Sequence, residues 1–330
     1  MASRQRCVAR WSSFGLALGL WVAACGSRTN LRDFARNDAG ASPDASSPLP
    51  VPTGSDSSAP PPRPKPPKSR PVSFAVIGDF GAAGENEAKV AELVRSHHPD
   101  FVITTGDNNY PSGAAETIDA NIGQYFHEFI APYRGTYGPG AQNNRFFPSL
   151  GNHDWRAPGA TPYLDYFELP GNERYYDVER WPVHLFAIDS DDHEPDGTDA
   201  GSVQAGWLKA ELARSSAPWK VVYFHHPPYS SGLHGSTHEM RWPFREWGAS
   251  IVYAGHDHHY ERFLVDGFPY VVNGVGGNEL YLLGARPPES LSGVDDVHGA
   301  VFVEASERRF ASRFVSTDGA TLDELVLSVP

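Results

Sequence analysis

Thiols are almost absent: two cysteines, Cys7 and Cys25, stand against 14 histidines in 330 residues. Metal ligands, if the chain carries them, are therefore expected to be imidazoles and carboxylates rather than thiolates. Positive charge is also scarce, with 27 Lys and Arg against 40 Asp and Glu and a formal net charge of −13. That balance argues against a nucleic-acid partner. The apolar run Phe14–Ala24 has only eleven residues, short of the roughly 20 that a free helix needs to span a bilayer. No internal repeat is visible. No glycine-rich nucleotide loop is present either: Gly274-Val275-Gly276-Gly277 follows a strand but opens no helix, so it reads as a loop lining a site. Apolar residues are plentiful at 40%, with 12% aromatics, enough for one large α/β core.

Arg4, Arg6 and Arg10 precede the short apolar run, which ends in Val22-Ala23-Ala24-Cys25-Gly26. A basic start, an apolar stretch and small residues before a break are the marks of an export signal, placed at 1–25. Small residues before a cysteine resemble the lipobox of bacterial lipoproteins. The resemblance implies that Cys25 becomes a lipidated N-terminus anchored in the cell envelope, and Gly26 rather than Asp favours the outer membrane. Plain secretion is the other reading. Residues 26–70 show no apolar periodicity, and 41–71 hold eleven of the 29 prolines. This stretch is expected to be a disordered Pro/Ser-rich tether with polyproline II character.

Ordered structure is expected over 71–330. Short apolar runs predict strands at Phe74–Ile77, Phe101–Thr105, Val183–Ile188, Trp219–Phe224, Ser250–Tyr253 and Tyr270–Val272. Helical periodicity covers Asn86–His98, Thr117–Tyr133 and Ser202–Ser215. Three further runs, Ala300–Val303, Phe310–Val315 and Leu325–Val329, predict antiparallel strands in succession. Strands that first alternate with helices and then follow one another imply an α/β fold with mixed sheets covered by helices.

The chemistry is concentrated after the strands. Apolar runs deliver Gly78-Asp79-Phe80-Gly81, Gly106-Asp107-Asn108-Asn109-Tyr110, Gly151-Asn152-His153-Asp154, His225-His226-Pro227 and Gly255-His256-Asp257-His258 into Gly- or Pro-marked loops. The carboxyl ends of parallel strands are where open α/β sheets bind ligands. Singly, Asp79 or Asn152 reads as a turn residue; together, five such ends read as a metal site. His226 and His259 flank ligands and read as supporting residues. The acidic loop 189–194 reads as a solvated rim.

Asp, Gly-Asp, Gly-Asn-His, a single His and Gly-His-x-His in this order resemble the calcineurin-like metallophosphoesterases. The first motif of most members is Asp-x-His, and here Gly81 replaces the His. Tyr110 compensates, and Asp-x-Gly with Gly-Asp-x-x-Tyr resembles the purple acid phosphatases, in particular the small tartrate-resistant type. The resemblance implies a four-layer α/β/β/α sandwich. It implies one metal on Asp79, Asp107, Tyr110 and His258 and a second on Asp107, Asn152, His225 and His256, with Asp107 bridging. A phenolate oxygen suits Fe(III) at the first site; Fe(II), Zn or Mn is implied at the second. Attack of metal-bound hydroxide on a small phosphate monoester, with an acidic optimum, would follow. His153 would contact the phosphate. His234, with His238 as a competitor, would assist the leaving oxygen. The rival readings are a phosphodiesterase or nucleotide hydrolase with two divalent metals and, more distantly, a non-catalytic surface binding module.

Overall fold

The computed structural model describes residues 70–329. The expected signal, Cys25 and the proline-rich tether lie outside the described residues. In chain order the strands are β1 (Val72–Ile77), β2 (Phe101–Thr104), β3 (Phe146–Pro148), β4 (Tyr176–Arg180), β5 (Val183–Ala187), β6 (Trp219–Tyr223) and β7 (Ile251–Ala254). They continue as β8 (Tyr260–Val265), β9 (Phe268–Asn273), β10 (Ser290–Val294), β11 (Gly299–Ala305), β12 (Arg309–Ser316) and β13 (Thr321–Ser328). The helices are α1 (Glu85–Ser96), α2 (Ala115–Ile118), α3 (Gln124–Phe126), α4 (Asn152–Trp155), α5 (Thr161–Tyr166) and α6 (Val203–Arg214).

Two mixed sheets result, in strand orders β13-β12-β11-β1-β2-β3 and β10-β8-β9-β7-β6-β5-β4. β1, β2 and β3 run parallel, as do β5, β6, β7 and β9. Strand alternation explains how the second sheet is covered on both faces. Val221 and Tyr223 of β6 and Ile251 and Tyr253 of β7 enter the core shared with β1 and β11. Their neighbours Val222, Phe224 and Val252 point the other way, to Leu208 and Leu212 of α6. Both faces are apolar, so these strands show as unbroken hydrophobic runs. Ser202 caps α6 by accepting from the Ala205 amide at 3.1 Å. The Tyr253 hydroxyl donates to Ser312 Oγ at 2.8 Å and ties the sheets together. Val90, Ala91 and Val94 of α1 pack on the first sheet.

Phe74 is fully buried in β1, stacked on Phe101 with centroids 4.9 Å apart. Phe74→Ala is expected to cost about 3–5 kcal/mol. Denaturant unfolding checks this; a loss under about 1 kcal/mol would mean that the sheet relaxes around the gap.

Some expectations fail locally. The helix expected over 117–133 is broken into α2, a π-turn at Asp119–Gly123, α3 and a single 3-10 turn at His127–Phe129. Asp119 explains the break: it accepts from the Tyr133 and Tyr166 hydroxyls at 2.6 and 2.8 Å and from the Thr136 amide at 2.9 Å, folding the following loop back. Strands β4, β8 and β10 were not expected. β4 and β10 are partly polar edge strands, and β8 carries Glu261 and Arg262 in its middle.

Candidate metal centre

The carboxyl ends of β1, β2, β3, β6 and β7 meet at one end of the paired sheets. Asp79 follows β1, Asp107 and Tyr110 follow β2, Asn152 opens α4 after β3, His225 follows β6, and His256 and His258 follow β7. Asp79, Asp107 and His256 hold φ of 55°, 52° and 72°. That left-handed region costs a non-glycine residue about 1–3 kcal/mol and recurs where function dictates the backbone. Gly106 (φ 90°) precedes Asp107, and a Cβ there would stand 2.7 Å from His225 Nδ1. A Cβ at Gly81 would overlap the Asn108 carbonyl. The space that a histidine at 81 would need is filled by the loop that carries Tyr110.

Two groups of donor atoms form around Asp107. The Tyr110 hydroxyl lies 3.0 Å from Asp107 Oδ2, 3.3 Å from Asp79 Oδ1 and 3.1 Å from His258 Nε2. His225 Nε2 lies 2.9 Å from Asn152 Oδ1, 3.1 Å from His256 Nδ1 and 3.4 Å from Asp107 Oδ2. Ligand atoms placed roughly 2.1 Å from one ion at right angles are about 3 Å apart. His225 Nδ1 sits 2.9 Å from the Thr105 carbonyl and His258 Nδ1 2.6 Å from that of Glu279. Each ring therefore donates through Nδ1 and turns Nε2 inward. His225 Nε2 there faces the oxygens of Asn152 and Asp107, an arrangement that needs positive charge between them.

The electrostatics agree. Asp79 and Asp107 are buried, and neither has an Arg or Lys partner among the described residues. In the metal-free chain burial pulls the His225 imidazole down, but Asp107 and Asp79 outweigh it and lift it to about 10, so a proton stands at Nε2 where a cation would replace it. Burial pushes the Asp107 carboxyl up, yet His225 and His153 hold it below the usual carboxylate range. Burial, with Asp107 and Asp79, drives the Tyr110 phenol well above its ordinary value. A phenolate there requires a cation. Two metal ions thus fit the donor set: Asp79, Asp107, Tyr110 and His258 would hold one, and Asp107, Asn152, His225 and His256 the other.

All seven expected ligands come together. His153 also lies at the centre, its ring 4.3 Å from Tyr110 and its Nε2 3.9 Å from Asp107 Oδ2. His234 packs on His256 with centroids 4.3 Å apart. His238, in the 3-10 turn His238–Met240, is exposed as His234 is, but has no ring contact with these histidines among the described residues. The acidic loop departs from expectation. Asp189, Asp191 and Glu194 are buried rather than solvated, and Asp189 accepts from Trp155 Nε1 at 2.8 Å.

Two supporting carboxylates were missed. Asp154 accepts from Asn108 Nδ2 at 2.8 Å and the Gly151 amide at 2.9 Å, locking two ligand loops together. Burial and Asp107 push it up to about 7. Asp257 accepts from the His234 and Gly235 amides at 2.8 and 3.1 Å and from the Ser230 hydroxyl at 2.5 Å. The only sequence signal for either is an Asp embedded in a ligand motif. Asp257→Asn keeps the shape but turns an acceptor into a donor facing amides. It is expected to release the loop and lower kcat about 10- to 100-fold. Steady-state kinetics alongside metal analysis check this; a wild-type kcat would show that His234 needs no such hold.

The calcineurin-like phosphoesterase family model matches residues 72–260, more than half of the chain. The chain belongs to that family. Membership makes it a hydrolase of phosphoric ester bonds. Among relatives, purple acid phosphatase 17 of Arabidopsis thaliana is 27% identical over 62% of this chain and 68% of its own length. Human tartrate-resistant acid phosphatase type 5 is 22% identical over 76% of this chain and 88% of its own. A purple acid phosphatase from yellow lupin seeds superposes with a TM-score of 0.64 at 19% identity, over 80% of this chain and 55% of that one. GAP50, described as the anchor in the inner membrane complex of Plasmodium, gives 0.63 at 16% identity, over 79% of this chain and 89% of that one. The fold is thus shared with a protein described as an anchor, and it is the side chains of this phosphoesterase that bear on catalysis.

Proposed function

We propose that this phosphoesterase hydrolyses small phosphate monoesters at a dinuclear centre of the purple acid phosphatase kind. Fe(III) would sit on Asp79, Asp107, Tyr110 and His258. Fe(II), Zn or Mn would sit on Asp107, Asn152, His225 and His256. The observation that carries this reading is the Tyr110 hydroxyl, within 3.0–3.3 Å of Asp107, Asp79 and His258. Two bound cations would supply a Lewis-acid clamp on the phosphate and an acidified water. The chain supplies the rest. Asp107 holds the two donor groups together, and its Oδ1 accepts from the His153 amide at 2.8 Å. His153 Nδ1 stands 2.7 Å from the Pro111 carbonyl, so Nε2 turns to the centre, where a phosphate oxygen would lie. His234 packs beside His256 and would protonate the leaving oxygen.

A visible spectrum with metal analysis on the full chain tests the reading. A phenolate-to-iron band with about two metals per chain, and phosphate release strongest at acidic pH, are expected. A colourless protein with two divalent metals would favour phosphodiester or nucleotide hydrolysis instead. Export and the Cys25 anchor belong to the same proposal on the sequence alone. Fatty-acid labelling that is unaffected by Cys25→Ser would sink the anchor.

A further inference from the structure

Two concavities flank the centre, and they differ in charge. On the Asn152 side a cleft of about 390 Å³ is lined by Ser190, Asp191, Asp192, His226 and Glu239 among others. On the His234 side lies a groove of about 540 Å³, walled by Leu233, Leu280, Tyr281, Leu282 and Leu283. No charged residue lines this groove. Leu233 and Leu282 are 73% and 79% exposed, the two most exposed large aliphatic side chains among the described residues. Single exposed leucines are ordinary, but two lining one groove form a patch that calls for an apolar occupant.

One wall of the groove touches the centre through Tyr281. The Tyr281 ring stacks on His258 with centroids 4.1 Å apart and meets His234 at 5.5 Å. The Tyr281 amide donates to the His258 carbonyl at 2.9 Å, and the Gly284 amide to that of Ser231 at 2.7 Å. Both walls are thus pinned to ligand-bearing loops, and the groove is built before anything binds.

We infer that the alcohol portion of the substrate is an aliphatic chain lying along Leu233 and Leu282, so that alkyl phosphomonoesters are preferred to sugar or polyol phosphates. The inference rests on the monoesterase reading above, in which His234 serves the leaving oxygen. That oxygen is bonded to the organic arm, so the arm leaves the centre on the His234 side. The cleft on the far side carries Asp191, Asp192 and Glu239 in its lining, and an aliphatic arm there would lie against carboxylates.

The test measures kcat/KM for butyl, hexyl and octyl phosphate below their micelle concentrations, each relative to glycerol phosphate. Wild type and Leu233→Asp/Leu282→Asp are compared. Side chains this exposed can be replaced with little effect on folding. Wild type is expected to gain about twofold per methylene, half of what full burial of a CH₂ gives, and the double variant to lose that slope. A flat series in wild type, or an equal slope in the double variant, overturns the inference while leaving the monoesterase reading intact. No release from any ester overturns both. Sedimentation supplies a second check: a dimer that dissociates in the double variant would give the groove to a second copy of the chain and overturn the inference.

Discussion

Asp107→Asn is expected to lower kcat by more than about 100-fold, because even changes outside the ligand set of a metal cost 10–100-fold. The two side chains have nearly the same shape, so the loss is chemical. Asp107 Oδ1 accepts from the His153 amide at 2.8 Å, and the asparagine oxygen will keep that bond. The amide nitrogen is then turned to the centre, where Asp107 Oδ2 now stands 3.0 Å from the Tyr110 hydroxyl and 3.4 Å from His225 Nε2. The anion that stands between the two donor groups is thus replaced by a neutral donor, which would leave the two cations without a shared carboxylate. Phosphate release and metal content of the purified variant check this. Activity within tenfold of wild type, with both metals retained, would remove Asp107 from the bridging role.

Tyr110→Phe is expected to abolish visible absorption altogether while leaving the fold in place. The ring is buried, lies 4.3 Å from His153 and meets His258 edge-on at 6.2 Å. Phenylalanine keeps those contacts, so unfolding of the metal-free chain should shift by no more than about 1–2 kcal/mol. What goes is the phenol oxygen that lies within 3.3 Å of Asp79, Asp107 and His258. Burial and two carboxylates hold that phenol protonated well past its ordinary range, so only a cation of high charge makes the anion favourable. Iron content should fall with the colour, and divalent metal should take its place. An unchanged spectrum would exclude Tyr110 as a ligand and with it the Fe(III) assignment.

Why the ligands were legible and other features were not has a physical basis. A site at the carboxyl ends of parallel strands forces each ligand to follow an apolar run, and strands buried on both faces stand out as such runs. Asp79, Asp107, Asn152, His225 and His256 were visible for that reason. β4, β8 and β10 lack the signal: two lie on edges, and the third holds the buried Glu261. The π-turn at Asp119–Gly123 depends on Tyr133 and Tyr166, which come from later in the chain. Asp154 and Asp257 act by gathering backbone amides of remote loops, and no local pattern announces that. Spacing put His234 ahead of His238, and the ring contact with His256 separates the two in the structure.

The crowding at Gly81 bears on what mutation can reach. A Cβ there would overlap the Asn108 carbonyl, two residues before Tyr110. A chain that lost its tyrosine oxygen could not recover a ligand by placing histidine at 81, because the loop would first have to be rebuilt. The choice between phenol and imidazole is therefore not a single-step exchange: return would pass through a form lacking both ligands, a valley that neutral drift does not cross one residue at a time.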